Sequence, residues 1–313
     1  MIPEIRRAVE ILRAGGLVAF PTETVYGLGA DAANAEAVHK LYSVKRRPAE
    51  HPVIVHFADA EKAFAWAREV PESAQKLAAR YWPGPLTLIL KRSARAKDFV
   101  TGGQDSVGLR VPSHPIAQEL LKAFNGAIVA PSANRFGLVS PTTAAHVRDD
   151  LGSDVDLVLE GGPSEVGIES TIVDLSSDAP VLLRPGHISK SELESLVGEV
   201  REKSAAAPRH SGGLERHYAP RTPARMVPSH GLDKAITERK ARVAVLAFSR
   251  PDEHVHFWLR MPRDPQAYAR RLYAALRELD SAGCELILIE APPETAEWSA
   301  VRDRLRRGCS EGR

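Results

Sequence analysis

Residues 41–56 read LYSVKRRPAEHPVIVH and join a predicted helix to a predicted buried strand through a run of three cations. The helix is the amphipathic stretch at 35–45, and the strand is centred on residues 53–55. Pro48 and Pro52 restrict the backbone between these two elements. A basic run that is merely solvated gains nothing from such stiffening, so we expect its cations to be held in a fixed geometry.

The sequence leaves two interpretations of these cations open. Lys45 and Arg47 are two residues apart, so in an extended segment their side chains point to the same side, while that of Arg46 points elsewhere. Alternatively, the cations complement the dipole at the C-terminus of a helix. The rigid flanks favour the first interpretation, in which Lys45 and Arg47 form part of an anion site.

Helices and strands interleave on both sides of this stretch. Apolar residues at helical spacing predict a helix over 4–14, which Gly15 and Gly16 end, and another over 60–70. Short apolar runs predict strands at LTLIL (86–90), VGLRV (107–111), STIVDL (170–175) and several further places. The pattern indicates an α/β or α+β domain around a mixed sheet.

A change of composition divides the chain. From Glu202 the periodic pattern gives way to small residues, Pro and Gly, as is typical of an extended linker. Strands and helices then resume in a compact α/β block of about 90 residues, which is enough for an independent domain. We predict a domain at 1–201, a linker at 202–221 and a small α/β domain at 222–313.

The composition of the 313-residue chain excludes several classes of protein. Its 43% hydrophobic and 26% charged residues are those of a soluble globular protein, and a net charge of +2 does not indicate a general nucleic-acid or membrane binder. Two cysteines exclude a disulfide framework and a zinc finger and fit a reducing compartment. Without a signal peptide or a long apolar run, we expect a cytoplasmic protein.

Polar residues cluster where predicted strands end. Arg110 lies between Leu109 and Val111, which should be buried, so it needs an anionic partner. That partner is either a protein carboxylate or the carboxylate of a ligand, to which guanidinium is well suited. Arg184 stands at another strand end.

Hydroxyl and amide side chains follow other buried runs, at the carboxyl ends of strands where open α/β sheets bind ligands. Each of them alone is explained as a turn former. Together with the arginines they predict an anion-binding site: Ser132, Asn134, Ser140, Ser170 and Thr171.

Other catalytic or phosphate-binding motifs do not fit. Gly27 to Gly29 imitate a dinucleotide fingerprint poorly, because residues 21–26 interrupt the strand-to-helix turn that it needs. The sequence contains no Walker motif, so ATP phosphates would have to meet side-chain cations and hydroxyls. No serine lies in a nucleophile elbow, and no catalytic triad is marked.

Eight motifs resemble, in order and with family-like spacing, those of the Sua5/YrdC family: FPTETVYGLGADA (20–32), KRRPAEHPVIVH (45–56), YWPGPLTLIL (81–90), VGLRVPSHP (107–115), APSAN (130–134), SPT (140–142), GIESTIVDL (167–175) and LLRPG (182–186). RHYAP at 216–220, followed by a small α/β domain, resembles the longer Sua5 type. The resemblance implies a twisted mixed sheet with surrounding helices and a basic concave cavity, plus a small Rossmann-like C-terminal domain.

The resemblance also implies a reaction. Members of the family are threonylcarbamoyl-AMP synthases, nucleotidyltransferases that convert L-threonine, bicarbonate and ATP into L-threonylcarbamoyladenylate and pyrophosphate. The product goes to the machinery that forms the tRNA modification t6A. Mg²⁺ would be held through the ATP phosphates rather than by protein ligands. Weak direct binding of tRNA is compatible with the resemblance, and no membrane partner is expected.

The family's motifs assign roles to residues of this sequence. The K-x-R and S-x-N patterns imply that Lys45, Arg47, Ser132 and Asn134 hold the phosphates at the reacting centre. Further ATP contacts would come from Ser106, Ser140, Arg184, Arg216 and His217. The threonine pocket would be lined by Thr22, His56, Arg110 and Ser170, with Arg110 as the partner of the threonine carboxylate.

The longer Sua5 type also implies that the linker, with Arg216, His217 and Tyr218, closes the cavity. The sequence departs from the family in details: Ser106 replaces a frequent threonine, and Val53 a frequent leucine. The end of the small domain, WSAVRDRLRRGCS, matches the family pattern only loosely.

Two rival functions remain to be weighed. An RNA-binding module would use the basic concavity, and its binding would weaken steeply with salt; the near-neutral total charge argues against it. A carbamoyl-transfer relative that does not use threonine would keep the ATP site but not the threonine pocket. Arg110 is the residue that distinguishes this relative from a synthase.

Overall fold

The computed structural model describes residues 2–203, 208–214, 216–238 and 241–309. Two compact units divide the chain. The first runs to Gly213, except for two short segments, Gly137–Ser140 and Val166–Ile168, which belong with the second unit. The second unit otherwise begins at Leu214. The domain boundaries predicted at 201 and 222 stay predictions.

The first unit is built on a ten-stranded mixed sheet with the order β10-β9-β8-β4-β5-β3-β6-β2-β1-β7. Its strands are β1 (Val18–Phe20), β2 (Gly27–Asp31), β3 (Ile54–His56), β4 (Leu86–Lys91), β5 (Ser106–Arg110), β6 (Ile128–Val129), β7 (Leu157–Val158), β8 (Thr171–Asp174), β9 (Val181–Arg184) and β10 (Arg201–Glu202). Its helices are α1 (Pro3–Arg13), α2 (Ala35–Lys45), α3 (Ala60–Phe64), α4 (Glu72–Tyr81), α5 (Asp98–Thr101), α6 (Pro115–Phe124), α7 (Ala144–Leu151) and α8 (Lys190–Val197).

The second unit contains a four-stranded parallel sheet in the order β11-β14-β12-β13. Its elements are β11 (Ala224–Val227), α9 (Leu232–Thr237), β12 (Val243–Ala247), β13 (Phe257–Arg260), α10 (Pro265–Asp280), β14 (Leu286–Glu290) and α11 (Ser299–Gly308). Parallel strands joined by helices confirm the predicted α/β character of this block.

Local sequence signals explain many of the element boundaries. Asn34 caps the start of α2, since its side chain accepts the N–H of Ala37 at 3.1 Å. Ser189 and Glu192 form a capping box at the start of α8. The apolar stripe that predicts α1 is buried: Ile5, Ala8, Val9 and Leu12.

One prediction of secondary structure was wrong, and one strand was missed. The helix predicted over 60–70 ends at Phe64, because Arg68 donates its backbone N–H to Lys91 at 2.8 Å and the chain pairs with the end of β4. The interrupted fingerprint around Gly27 is β2, a strand antiparallel to β1. Gly29 belongs there because a Cβ atom would lie 2.9 Å from the ring of Phe20 and 3.0 Å from the carbonyl of Val18.

Candidate functional site

One face of the first unit's sheet gathers the strand-end residues. Arg110 on β5 lies opposite His56 on β3 and opposite Thr87 on β4. Arg184 on β9 lies opposite Ile172 on β8. Directly opposed residues of neighbouring strands share a face, so four polar side chains from four strands line the same side of the sheet.

The sheet surface between these polar residues is apolar. Ile54, Ile89 and Ile172 form a small buried cluster on this face. Gly108 lies among them, and a Cβ atom there would come within 3.3 Å of Ile89 and 3.4 Å of Ile54. The alternate residues of the same strands join the main core: Val55, Leu88, Leu109 and Val173. Strand alternation therefore separates the site face from the core face.

Arg110 forms a buried ion pair with Glu23. Its Nη2 lies 2.7 Å from Glu23 Oε1, and both side chains are about 95% buried. The second carboxylate oxygen accepts the backbone N–H of Ser113 at 3.1 Å. Of the two partners that the sequence leaves open for Arg110, the structure contains the protein carboxylate, and Glu23 had not been singled out.

His56 is buried beside Arg110 in a neutral state. Burial, reinforced by the nearby guanidinium, lowers the pKa of His56 to about 3. Within the described part of the chain, neither His56 Nδ1 nor Arg110 Nε has a hydrogen-bond partner. Two buried polar atoms in adjacent residues are therefore available to a ligand, since buried groups of this kind are usually satisfied.

Thr22 holds the loop that carries Glu23. Its hydroxyl donates to the carbonyl of Val25 at 2.6 Å and accepts the N–H groups of Thr24 and Val25, each at 3.2 Å. This is a local turn formed by a hydroxyl. Thr22, which the family motif assigns to the threonine pocket, thus also fixes the direction in which Glu23 points.

Ser170 connects Thr87 and Arg184. Its Oγ lies 2.8 Å from the hydroxyl of Thr87 and accepts from Arg184 Nη2 at 3.0 Å. Arg184 Nε also donates to the carbonyl of Ser170 at 2.9 Å. A residue assigned to the threonine pocket is therefore bonded directly to one assigned to ATP.

The basic run begins at the end of a helix. Lys45 is the last residue of α2, and Arg46 takes the left-handed conformation, with φ 55°, as its C-cap. Lys45 and Arg47 are buried, whereas Arg46 is exposed. The side chains of Lys45 and Arg47 thus turn to the same side, as predicted. The predicted reason, an extended segment, was wrong, because the chain turns at the left-handed C-cap Arg46 instead.

Lys45 already uses two of its three donors. Its ammonium bonds to the carbonyl of Ser132 at 2.5 Å and to that of Asn134 at 2.6 Å. Complete burial lowers the pKa of Lys45 well below its ordinary value, and Arg47 adds to this effect. Lys45 therefore ties the start of the basic run to the S-x-N motif through the backbone.

Arg47 and Arg184 both contact residues 208–213, here called the strap. Arg184 Nη1 donates to the carbonyl of Ser211 at 2.9 Å, and Arg47 Nη2 lies 3.5 Å from the Ser211 hydroxyl. That hydroxyl also donates to the carbonyl of Pro52 at 3.1 Å. The strap thus brings these two arginines, which are 137 residues apart by their numbers, to a common partner.

Reciprocal hydrogen bonds anchor the strap at its start. Arg209 donates its backbone N–H to Gln104 Oε1 at 2.7 Å, and Gln104 Nε2 donates to the carbonyl of Arg209 at 3.0 Å. Arg209 Nη2 also donates to the carbonyl of Gly102 at 2.9 Å. These contacts place a part of the predicted linker in the first unit.

Four further residues were predicted to contact ATP. Ser106 pairs with Lys91 at the start of β5, four residues before Arg110 and so about 13 Å from it along the strand. Ser140, Arg216 and His217 belong to the second unit.

Within the second unit, the segment around His217 packs on α11. His217 donates its backbone N–H to the carbonyl of Arg307 at 3.0 Å. The guanidinium of Arg304 lies 5.3 Å from the centre of the Tyr218 ring, and Tyr218 has a left-handed φ of 62°. The C-terminal stretch WSAVRDRLRRGCS, which matches the family pattern only loosely, therefore contacts His217 and Tyr218 of the RHYAP motif.

Three contributors to the site were missed from the sequence. Glu23 lies among short polar residues between two apolar runs, and Thr87 interrupts the apolar run LTLIL on one side of a strand. The signal at Thr87 could have been found, because a polar residue inside a buried strand needs a partner. Ser211 carries no local signal.

The geometry combines fixed cations with buried hydrogen-bonding groups. Arg47 and Arg184 share one neighbour, and Arg184 reaches through Ser170 toward Thr87, the cross-strand neighbour of Arg110. Guanidinium groups in such settings bind phosphate or carboxylate oxygens. The arrangement can therefore hold a polyanion close to a small polar molecule.

Two family models match the chain. The model described as Telomere recombination, which covers Sua5, YciO and YrdC proteins, matches residues 10–186. The model described as the C-terminal domain of threonylcarbamoyl-AMP synthase matches residues 188–310.

Relatives of known name are similar over nearly the whole chain. A threonylcarbamoyl-AMP synthase of Pyrococcus abyssi is 40% identical over 97% of this chain and 93% of its own length. One of Bacillus subtilis is 37% identical over 98% and 93%. The crystal structure of P. abyssi Sua5 complexed with L-threonine is 38% identical, with a TM-score of 0.91 over 98% of this chain and 95% of that one.

Proposed function

The chain belongs to the Sua5/YrdC family, and from this premise we propose that it is a threonylcarbamoyl-AMP synthase. It joins L-threonine, bicarbonate and ATP into L-threonylcarbamoyladenylate and releases pyrophosphate. The observation that carries the proposal is the similarity to synthases across both units, combined with a sheet face that presents arginines beside buried hydrogen-bonding groups.

Arg47 and Arg184 bind the phosphates of ATP. Both guanidinium groups are buried and held by protein carbonyls, so their orientation is set before the nucleotide arrives. Lys45 contributes positive charge and its third N–H, and it orients the backbone of Ser132 and Asn134. Ser106, on the same sheet, is a further proposed contact of the nucleotide, whereas the ATP contacts that the family motifs imply for Ser140, Arg216 and His217 stay predictions.

L-Threonine binds at the other group of residues. Its carboxylate faces Arg110, whose Nε is buried without a partner among the described residues. His56 is neutral and offers Nδ1 to a polar group of the substrate. Ser170 and Thr22 provide hydroxyl groups at the edge of this pocket.

The reaction needs placement and charge neutralisation rather than a protein nucleophile. The threonine ammonium group first gives a proton to water, and the resulting amine attacks the carbon of bicarbonate. Water then leaves to give a carbamate. A carbamate oxygen then attacks the α-phosphorus of ATP, and the bond to pyrophosphate breaks. Arg47 and Arg184 stabilise the negative charge that accumulates on the phosphate oxygens.

The donors of this site do not form a metal site by themselves. Among the described residues, no group of three His, Cys, Asp or Glu side chains is placed to hold a metal ion. The phosphate-binding residues are cations and hydroxyls, which repel or bind weakly to a divalent cation. We therefore propose that Mg²⁺ arrives with ATP, bound through its phosphates.

The product carries an activated threonylcarbamoyl group, which a transferase must consume to form t6A in tRNA. None of the helices that the structure describes has the length and apolar composition needed to cross a lipid bilayer.

Pyrophosphate release tests the proposal. The protein is incubated with ATP, Mg²⁺ and bicarbonate, with and without L-threonine. We expect release only when threonine and bicarbonate are both present. ATP binding without threonine-dependent release would instead identify a superfamily member with another acceptor, and salt-sensitive RNA binding that ignores threonine would support an RNA-binding module.

A further inference from the structure

Glu23 places a negative charge in direct contact with the cation that is to hold the substrate carboxylate. We propose that Glu23 determines specificity: with Arg110 it forms a paired receptor for a zwitterionic amino acid, rather than a site for any small carboxylate. This inference rests on the proposed function and assigns a role to a residue that neither the family motifs nor the sequence had singled out.

The charges of the pocket disfavour a ligand that carries only a negative charge. The guanidinium of Arg110 and the carboxylate of Glu23 are 2.7 Å apart and both almost fully buried, so the pair has no net charge. His56 adds none, because it is neutral at physiological pH. A ligand with a single negative charge therefore meets a neutral pair and must compete with Glu23 for Arg110. An isolated charge buried in this way is costly.

Glu23 and Arg110 have hydrogen-bonding capacity beyond the bonds that they make within the protein. Glu23 accepts one bond from Arg110 and one from the backbone of Ser113. A carboxylate has about four acceptor positions, so two remain. Arg110 Nε is buried and unpartnered within the described residues. A donor edge and an acceptor edge thus lie side by side, which is the arrangement that an α-carboxylate and an α-ammonium group require.

The loop that contains Glu23 is held in one conformation. Thr22 closes a turn with three hydrogen bonds around the backbone of Thr24 and Val25, and Glu23 lies inside that turn. Its carboxylate is therefore presented in one direction. Specificity by charge depends on such fixed groups, because a mobile acid would follow Arg110 and leave no acceptor for the ammonium group.

The test compares three ligands of similar shape and different charge. L-Threonine is a zwitterion, β-hydroxybutyrate lacks the ammonium group, and L-threoninamide lacks the carboxylate. Their dissociation constants are measured by calorimetry in the presence of a non-hydrolysable ATP analogue. For the wild-type protein we expect both analogues to bind at least about tenfold more weakly than L-threonine.

The variant Glu23→Gln keeps the shape of the side chain and removes its charge. We expect the preference for L-threonine over β-hydroxybutyrate to fall by about tenfold, because Arg110 then attracts any carboxylate and nothing receives the ammonium group. The KM for ATP should change less than about twofold. Glu23→Asp, which keeps the charge, should retain the preference for the zwitterion.

A matched control replaces another buried carboxylate of the same unit. The carboxylate of Asp174 accepts local bonds from the backbone and hydroxyl of Ser176 and lies at the far end of β8. Asp174→Asn should therefore leave ligand preference unchanged. Equal preferences in Glu23→Gln and wild type would overturn the inference. If that variant does not fold, the wild-type comparison decides: tight binding of β-hydroxybutyrate would also overturn it. Absence of threonine-dependent pyrophosphate release in wild type would instead reject the proposed function.

Discussion

Arg184 contacts Ser170 twice, through Nε to its carbonyl at 2.9 Å and through Nη2 to its hydroxyl at 3.0 Å. A further bond of the guanidinium, from Nη1 to the carbonyl of Ser211, reaches the strap. One arginine thus connects a residue assigned to threonine with the strap, whose Ser211 also lies near Arg47.

Replacing Arg184 by lysine should weaken ATP binding. A lysine ammonium cannot reproduce the planar set of donors that reaches Ser170 and Ser211 together. We expect the KM for ATP to rise by about tenfold or more while the protein stays folded. Steady-state pyrophosphate release measures this, and Arg68→Lys, on the exposed surface, is the control. An unchanged KM would remove Arg184 from the nucleotide site.

Replacing Thr87 by valine should lower both stability and activity. The two side chains have the same shape, but valine cannot bond to the hydroxyl of Ser170 at 2.8 Å, and residue 87 is completely buried. We expect a loss of about 1–3 kcal/mol in the free energy of unfolding, measured with urea. Thr87→Ser, which keeps the hydroxyl, should recover most of the activity. Wild-type turnover in the valine variant would show that Thr87 does not orient Ser170.

Replacing Gln104 by alanine should loosen the strap. The substitution removes both reciprocal bonds to the backbone of Arg209. Each such bond contributes about 1 kcal/mol, so the loss of two should accelerate amide hydrogen exchange in residues 208–213 by about thirtyfold. Gln75→Ala, at an exposed helix position, provides the comparison. Equal exchange rates in the two variants would mean that the other contacts of the strap hold it without Gln104.

The buried imidazole of His56 should make stability depend on pH. Its pKa is about 3 in the folded protein and about 6.5 in an unfolded chain. Between these values the unfolded state binds one more proton, so stability falls as the pH is lowered from about 6.5 toward 3, by about 1.4 kcal/mol per pH unit.

Urea unfolding of wild type and His56→Gln at pH 7 and at pH 5 measures this contribution. The variant should lose less stability on acidification, because it has no group at position 56 to protonate in the unfolded state. Identical pH dependence of the two proteins would exclude a neutral buried His56.

Replacing Gly308 by alanine should destabilise the second unit. A Cβ atom at this position would lie 2.9 Å from the carbonyl oxygen of Tyr218, a backbone atom that cannot move aside without shifting the RHYAP segment. We expect a loss of about 1–3 kcal/mol, seen as a lower Tm. Gly231→Ala, where the nearest atom is 3.6 Å away, should be nearly neutral. An equal Tm for the two variants would contradict the packing of α11 on this segment.

Local patterns predicted many elements correctly because local forces decide them. The apolar stripe of α1, and the helix that ends at Lys45, follow from side-chain periodicity and capping. β2 was missed because Gly27 and Gly29 have no strand propensity. They are tolerated there since neighbouring strands approach too closely for a side chain.

The sequence alone determined the α/β class and the family, because motifs and periodicity are contained in short stretches. Only the tertiary structure decided which groups are partners. Glu23 and Arg110 are 87 residues apart, and Ser211 reaches Arg47 across 164 residues. Such pairs depend on strand order and register, which arise from the packing of the whole sheet, and no local propensity encodes them.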